Sequence, residues 1–177
     1  MPSTVTQSRP TRVLALDLGR REIGYAILEE TRLVYFGVHT VKGRRTLRQT
    51  LRETQRFVDH LITILEPELL VLERSRYKNS RRSTVLPAII ADLKRLARQR
   101  HLIVRSFTPK QVKLALCENE RATKRKVSET IVTLWYPFLA KYLETDRRTK
   151  EKYWENVFDA IALGLAGLKA LDSKRFP

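Results

Sequence analysis

The sequence predicts an α/β domain: a mixed five-stranded sheet, three antiparallel strands followed by parallel ones, with helices on its faces. Three observations carry this. Three strand-like runs come first, separated by gaps too short for anything but hairpins. The hydrophobic period then changes from two to three or four residues. After that change, two short apolar runs alternate with helical stretches, which is the pattern of βαβ crossovers.

The elements follow in order. "MPSTVTQSRP" reads as a loose arm, so residues 1–11 are set apart from a single domain over 12–171 and a tail over 172–177. Arg12 to Leu18 is a β-branched and leucine run ended by Gly19, Ile23 to Glu29 the second strand and Arg32 to Val38 the third. Leu47, Leu51, Thr54, Val58, Leu61 and Leu65 recur at helical spacing, and Pro67 closes that helix. "LLVLE", Leu69 to Glu73, is a continuous apolar run that suits a buried central strand. A helix is expected from Leu86 to Arg100, with Pro87 in its first turn, and "LIVRSF" is the fifth strand. "TPKQ", Thr108 to Gln111, is a helix start with a Thr cap, Pro at the first position and Gln where a capping box needs it. Two further helices are expected, Lys124 to Trp135 and Tyr153 to Leu171, with the charged stretch "ETDRRTKEK" between them as a loop.

Composition bounds the function. The chain has 177 residues, enough for one well-buried core. Lys plus Arg number 35 against 19 acids, a net charge of +16, which points to a polyanionic partner. Arg74 to Arg100 alone holds nine Lys or Arg and one acid, Asp92. The single cysteine, Cys117, excludes an internal disulfide and a cysteine-built zinc site, and reads as a small buried apolar residue. His39, His60 and His101 share no metal or nucleophile spacing. No signal peptide or membrane span is visible, so a reducing, intracellular setting is expected.

The acids carry the chemistry. In "RVLALDLGRREIGYAIL" the carboxylate of Asp17 interrupts an apolar strand, where an unpaired charge is expensive to bury. Glu73 ends strand four. If strand four lies beside strand one, the two carboxylates emerge at neighbouring strand ends, where open α/β sheets bind ligands. Asp159 interrupts the small-residue helix "ENVFDAIALGLAGL", and Glu155 and Asn156 precede it by four and three residues, close enough to share its face. Converging carboxylates repel unless neutralised, and hard divalent cations with oxygen ligands do this; Mg²⁺ is expected. Two such ions activate a water and stabilise the leaving oxygen of a phosphodiester.

"LALDLGRREIGYAIL", "LLVLER", "ENVFDAIALGLAG" and "TPKQVKLALCENERATKRKV" together resemble the motifs of the RuvC-type Holliday junction resolvases of the ribonuclease H-like superfamily, over Arg12 to about Leu171. The resemblance implies a homodimeric, metal-dependent endonuclease that resolves four-way DNA junctions by paired symmetric nicks. It implies two Mg²⁺ per site, with Mn²⁺ able to substitute, and a cytoplasmic, nucleoid-associated setting, or the host cytoplasm for a phage-borne chain. Asp17, Glu73 and Asp159 would be metal ligands. Lys113 and Lys124 would contact phosphate, and Tyr77 would stack on bases at the crossover. Arg76, Lys78 and Arg81, in the same loop, would contact DNA. The family's fourth ligand, an Asp or His, falls on Asn156 here, with Glu155 next to it as the substitute. Glu118 and Glu120 stand where the family has glycines, which suggests a divergent, phage- or virus-type member. Two readings stand for the helix of Leu86 to Arg100: Ile89, Ile90, Leu93 and Leu96 exceed the need of one core contact and supply an apolar face for dimerisation, or all four are core.

Other readings differ in one feature each. The YqgF-type RNA-processing nucleases share the "LALDLG" opening but lack an acid at the end of strand four. The actin and sugar-kinase fold needs a longer chain. A non-catalytic nucleic-acid binder would use the basic surface without needing three acids.

Overall fold

The computed structural model describes residues 11–19, 21–41, 46–74, 85–143 and 151–171. Except for Thr11, the arm and the tail lie outside these residues, as do Arg76, Tyr77, Lys78 and Arg81. The expected mixed sheet is present. Strands β1 (Arg12–Leu18), β2 (Glu22–Glu29) and β3 (Arg32–Thr40) form an antiparallel meander. Strand β4 (Leu69–Glu73) adds parallel to the other side of β1, and β5 (Ile103–Phe107) adds parallel to β4, giving the order β3-β2-β1-β4-β5.

Side chains alternate across this sheet, so it has two cores. Leu14, Leu16 and Leu18 face α1 (Leu47–Leu65) and α2 (Val85–Gln99). Val13 and Ala15 face the other layer: α3 (Pro109–Cys117), α4 (Lys124–Leu134) and α5 (Glu151–Leu171). Asp17 is the next residue of that second set, so alternation directs it to the α5 face. The small residues of α5 work as anticipated. A methyl group on Gly164 would collide with Leu28 Cδ1, and one on Gly167 would come within 2.5 Å of Val71 Cγ2. At the other end of the contact, a side chain on Gly24 of β2 would run into the Asn156 carbonyl oxygen. Three glycines thus let α5 lie close on the sheet, and that proximity brings Asp159 over the end of β1.

Local sequence explains most of the boundaries. Thr46–Gln49 and Thr108–Gln111 both close reciprocal capping boxes, the second one predicted from "TPKQ". Helix α5 begins at Glu151, two residues before the expected Tyr153, so the end of the charged stretch is helical. A 3₁₀ helix, Pro137–Tyr142, was not expected. Pro137 ends α4 as anticipated but also opens this short turn, because its fixed φ suits a first helical position. Cys117 is half-buried, with Sγ 3.5 Å from Thr130 Oγ1. No described helix is long and apolar enough to cross a membrane.

Two expectations need correction or an explanation. Ile89, Leu93 and Leu96 of α2 are buried in the core, and Ile90 packs half-buried at its margin. Ile89, Leu93 and Leu96 are thus core residues covered by α1 and the sheet, which leaves Ile90 alone of the four partly open and no surplus apolar face of the size considered for dimerisation. Glu118 caps α3 in the left-handed conformation, φ 53°. That is a conformation in which glycine is favoured. Glu120 pairs with Lys110 at 3.2 Å. Replacing Glu118 with Gly should stabilise the protein by about 0.5–1 kcal/mol, read as a higher midpoint in urea with an unchanged slope.

Candidate active site

The sheet register puts Asp17 and Glu73 side by side. Leu16 pairs with Leu72 in the parallel ladder, and each acid is the following residue of its strand. Both point to the α5 face by the alternation that points Val13 and Leu69 there. Over them, α5 presents Glu155 and Asp159, one turn apart on the same face. Lys124, the first residue of α4, reaches across from its Thr123 cap. Its ammonium donates to Glu155 Oε1 at 2.5 Å and to Asp159 Oδ2 at 2.8 Å. Lys113 on α3 is half-buried and near enough to act electrostatically on Asp159.

The electrostatics show a site with more negative charge than it holds comfortably. Burial, then the charges of Asp159 and Glu73, push the Asp17 carboxyl up to about 7; Lys124 offsets part of this and Glu155 adds to it. Asp159 is also raised, chiefly by burial, against the opposing effect of Lys124. Burial works against the charge of Lys124, but its bonds to Asp159 and Glu155 outweigh that and raise its pKa.

Asn156 and Glu155 part company here. The Asn156 amide Nδ2 donates to Glu22 Oε2 at 3.1 Å, at the start of β2. Lys152 pairs with the same oxygen at 2.9 Å, and these bonds hold the Glu22 carboxyl below the usual range. Glu155 faces Lys124 and acts on Asp17. Sequence reading missed Glu22 as the partner of Asn156; the only available signal was the i, i+4 spacing of Lys152 and Asn156, which does not reveal what they face.

The donor set suits the cation that the resemblance implied. Asp17, Glu73, Asp159 and Glu155 offer only hard carboxylate oxygens, and Asp17, raised first by burial and then by the charges of Asp159 and Glu73, is a carboxylate that a divalent cation would favour in its ionised form. Among the described residues no group of three or more acids, histidines or cysteines is placed to hold a metal ion as the side chains stand. Lys124 is the cation that two of the carboxylates hold.

A mixed sheet in this order, with a close-packed helix across it and carboxylates at adjoining strand ends, defines a ribonuclease H-like fold. Comparison with known proteins narrows this. The family model for the crossover junction endodeoxyribonuclease RuvC matches residues 13–141. RuvC of Akkermansia muciniphila is 26% identical over 166 residues, covering 91% of this chain and 92% of that protein. The solved RuvC structure of Thermus thermophilus superposes with a TM-score of 0.74 at 17% identity, covering 92% of this chain and 97% of that one. The same protein solved in complex with Holliday junction substrate gives 0.67 at 18% identity, over 91% and 95% of the two chains. These structural likenesses show the shared fold. The chain belongs to the RuvC family of crossover junction endodeoxyribonucleases.

Proposed function

We propose that this chain is an endonuclease that resolves four-way DNA junctions by hydrolysing phosphodiesters in two opposed strands. The single observation that carries the reading is the convergence of Asp17, Glu73, Asp159 and Glu155, from two strand ends and one helix, beside Lys124 and Lys113. A non-catalytic binder of DNA has no use for four acids facing its own basic residues. The family match and the net charge of +16 supply the substrate class.

Asp17, Glu73 and Asp159 would hold the metal, with Glu155 rather than Asn156 as the fourth ligand. Mg²⁺ is the expected ion, two per site, with Mn²⁺ substituting. When bound, these ions supply the charge that activates a water and stabilises the departing oxygen. The chain's own part is positional. Strand ends hold Asp17 and Glu73 rigidly, and α5 fixes Asp159 against them. Lys113 and Lys124 provide cationic contacts for the phosphate at the cut. A two-fold dimer would present two such sites to the two-fold axis of a junction. The enzyme would work where the DNA is, in the cytoplasm. A labelled synthetic junction incubated with purified protein tests the reading: paired nicks near the crossover are expected with Mg²⁺ and none in chelator. An uncut junction under both conditions would overturn it.

Two further outcomes follow from the geometry. Glu155→Gln should lower cleavage and raise the Mg²⁺ concentration needed for half-maximal rate, while Asn156→Ala leaves that concentration nearly unchanged. A metal titration showing the reverse would assign the ligand to Asn156. Lys113→Ala and Lys124→Ala should each reduce the slope of log affinity against log salt by about 0.9 on a duplex arm. An unchanged slope in both variants would remove these lysines from the phosphate path.

A further inference from the structure

The opposite face of the sheet carries a second cationic surface, away from the acids. Helix α1 places Arg48, Arg52 and Arg56 at four-residue intervals, so they form one exposed stripe with steps of about 6 Å. Such a stripe is ordinarily balanced by acids on neighbouring turns. Of the ion pairs seen between described residues on this face, none includes these three. Asp59 is taken by Arg100 at 2.6 Å, and Glu53 lies against His39.

Arg52, Arg56 and Gln49 line an open groove of about 550 Å³ whose floor is His39, Glu53 and Phe57. The His39 ring stacks on Phe57, centroids 4.0 Å apart and planes within 11°. Phe57 meets Tyr25 edge-on at 5.4 Å, and Tyr25 meets Tyr35 at 5.6 Å. Gly37 makes room for this row, since a side chain there would come within 2.6 Å of the Tyr25 hydroxyl. Tyr35, at its outer end, is 48% exposed on edge strand β3. His39 Nε2 is buried without a hydrogen bond, because Glu53 at 3.6 Å is too distant to accept one.

We propose that this groove is a second nucleic-acid contact, which takes one single strand of DNA. The arginine stripe would hold successive phosphates, and Tyr35 would stack on an unpaired base. Three features point to a strand rather than an isolated anion: the repeated spacing of the arginines, the planar fork each offers to a phosphate, and an aromatic row ending in a half-exposed ring, the combination that single-strand binding surfaces use. Its position is suitable. Leu18, Ile23 and His39 are register neighbours across β1, β2 and β3, so His39 lies about 10 Å across the sheet from the residue after Asp17. A strand leaving the catalytic end of the sheet around β2 and β3 meets the groove next. Glu53 is a negative group on its floor and sets a limit on how deeply a phosphate can sit.

The proposal rests on the DNA partner and not on cutting, so binding is the readout. The probe is a fluorescent single-stranded oligonucleotide, titrated against salt in chelator with the full chain. Arg52→Ala with Arg56→Ala should flatten the log–log salt slope by about 1.4, two contacts at single-strand strength. Arg98→Ala with Arg105→Ala removes equal charge from exposed positions elsewhere and should change it far less. Tyr35→Ala should weaken binding about tenfold, and an iodouracil-bearing oligonucleotide should crosslink to the β3 peptide that contains Tyr35. Equal slope changes in the groove pair and the control pair, or no crosslink to that peptide, would overturn the proposal. Failure of the wild-type chain to cut would count against the nuclease reading and leave the groove result to stand on its own.

Discussion

Asp17→Asn is expected to reduce junction cleavage by at least about a thousandfold while junction affinity stays within a few-fold of wild type. The asymmetry comes from what the carboxylate does. Asp17 is half-buried at a strand end, among Glu73, Asp159 and Glu155, and would touch cations rather than bases. Losing one such ligand forfeits several kcal/mol of transition-state stabilisation, about 1.4 kcal/mol for each tenfold in rate. Binding is dominated by Lys and Arg contacts to phosphate, which the substitution leaves in place. It also removes a negative group from the phosphate path. Glu73→Gln and Asp159→Asn should behave alike. Cutting at wild-type rate by any of the three would remove that residue from the ligand set, and a parallel loss of affinity would show that the site binds DNA through it.

The same substitution should make the metal-free protein more stable above neutral pH. Burial and the neighbouring acids raise Asp17 from 3.8 to about 7 in the folded chain. A group raised on folding favours the folded state in its protonated form. Its contribution is complete below pH 3.8 and is lost as pH rises through 7. At pH 8 the folded wild type therefore holds an ionised Asp17 at a cost of about 4 kcal/mol, because each tenfold weakening of an acid on folding corresponds to about 1.4 kcal/mol. Asparagine keeps the shape and avoids that cost. In chelator at pH 8, Asp17→Asn should melt roughly 5–15 °C above wild type, and the gap should close as pH falls toward 4. Carboxylates remote from the site titrate alike in both proteins and cancel in the difference. Adding Mg²⁺ should raise the wild type toward the variant, since a ligand of the folded state stabilises it by mass action. A variant no more stable than wild type at pH 8 would mean that Asp17 is not held among unneutralised charges.

These two expected outcomes concern one residue that its sequence context sets apart. A carboxylate inside "RVLALDL" conflicts with its surroundings, and such conflicts mark functional positions. Glu73 was legible because it terminates an apolar run, and Asp159 because it breaks a small-residue helix. The antiparallel meander followed from the hairpin gaps and the parallel strands from the crossover pattern, and the capping box of α3 from its residue types. What the sequence concealed were contacts between distant side chains. Nothing in "ATKRKV" indicates that Lys124 would bridge Glu155 and Asp159, a pairing of residues 31 and 35 positions apart. The choice of Glu155 over Asn156 depends on which of two adjacent residues is captured by Glu22, 134 positions away. For a related reason, the sequence left open whether the apolar residues of α2 are core or a dimer face. Periodicity shows which face of a helix is apolar, but how much of that face the neighbours cover depends on how closely α1 packs.

The central claim is that the carboxylates at the ends of β1 and β4, with those of α5, form the catalytic centre of a junction-resolving nuclease. A supercoiled plasmid carrying an extruded cruciform tests it in one reaction. The wild-type chain with Mg²⁺ should convert the cruciform plasmid to linear DNA, through two opposed nicks at the crossover. Chelator, or Asp17→Asn, should leave it supercoiled although still bound. Linear product that persists in chelator or with Asp17→Asn, or a cruciform left intact by the wild type with Mg²⁺, would contradict the account.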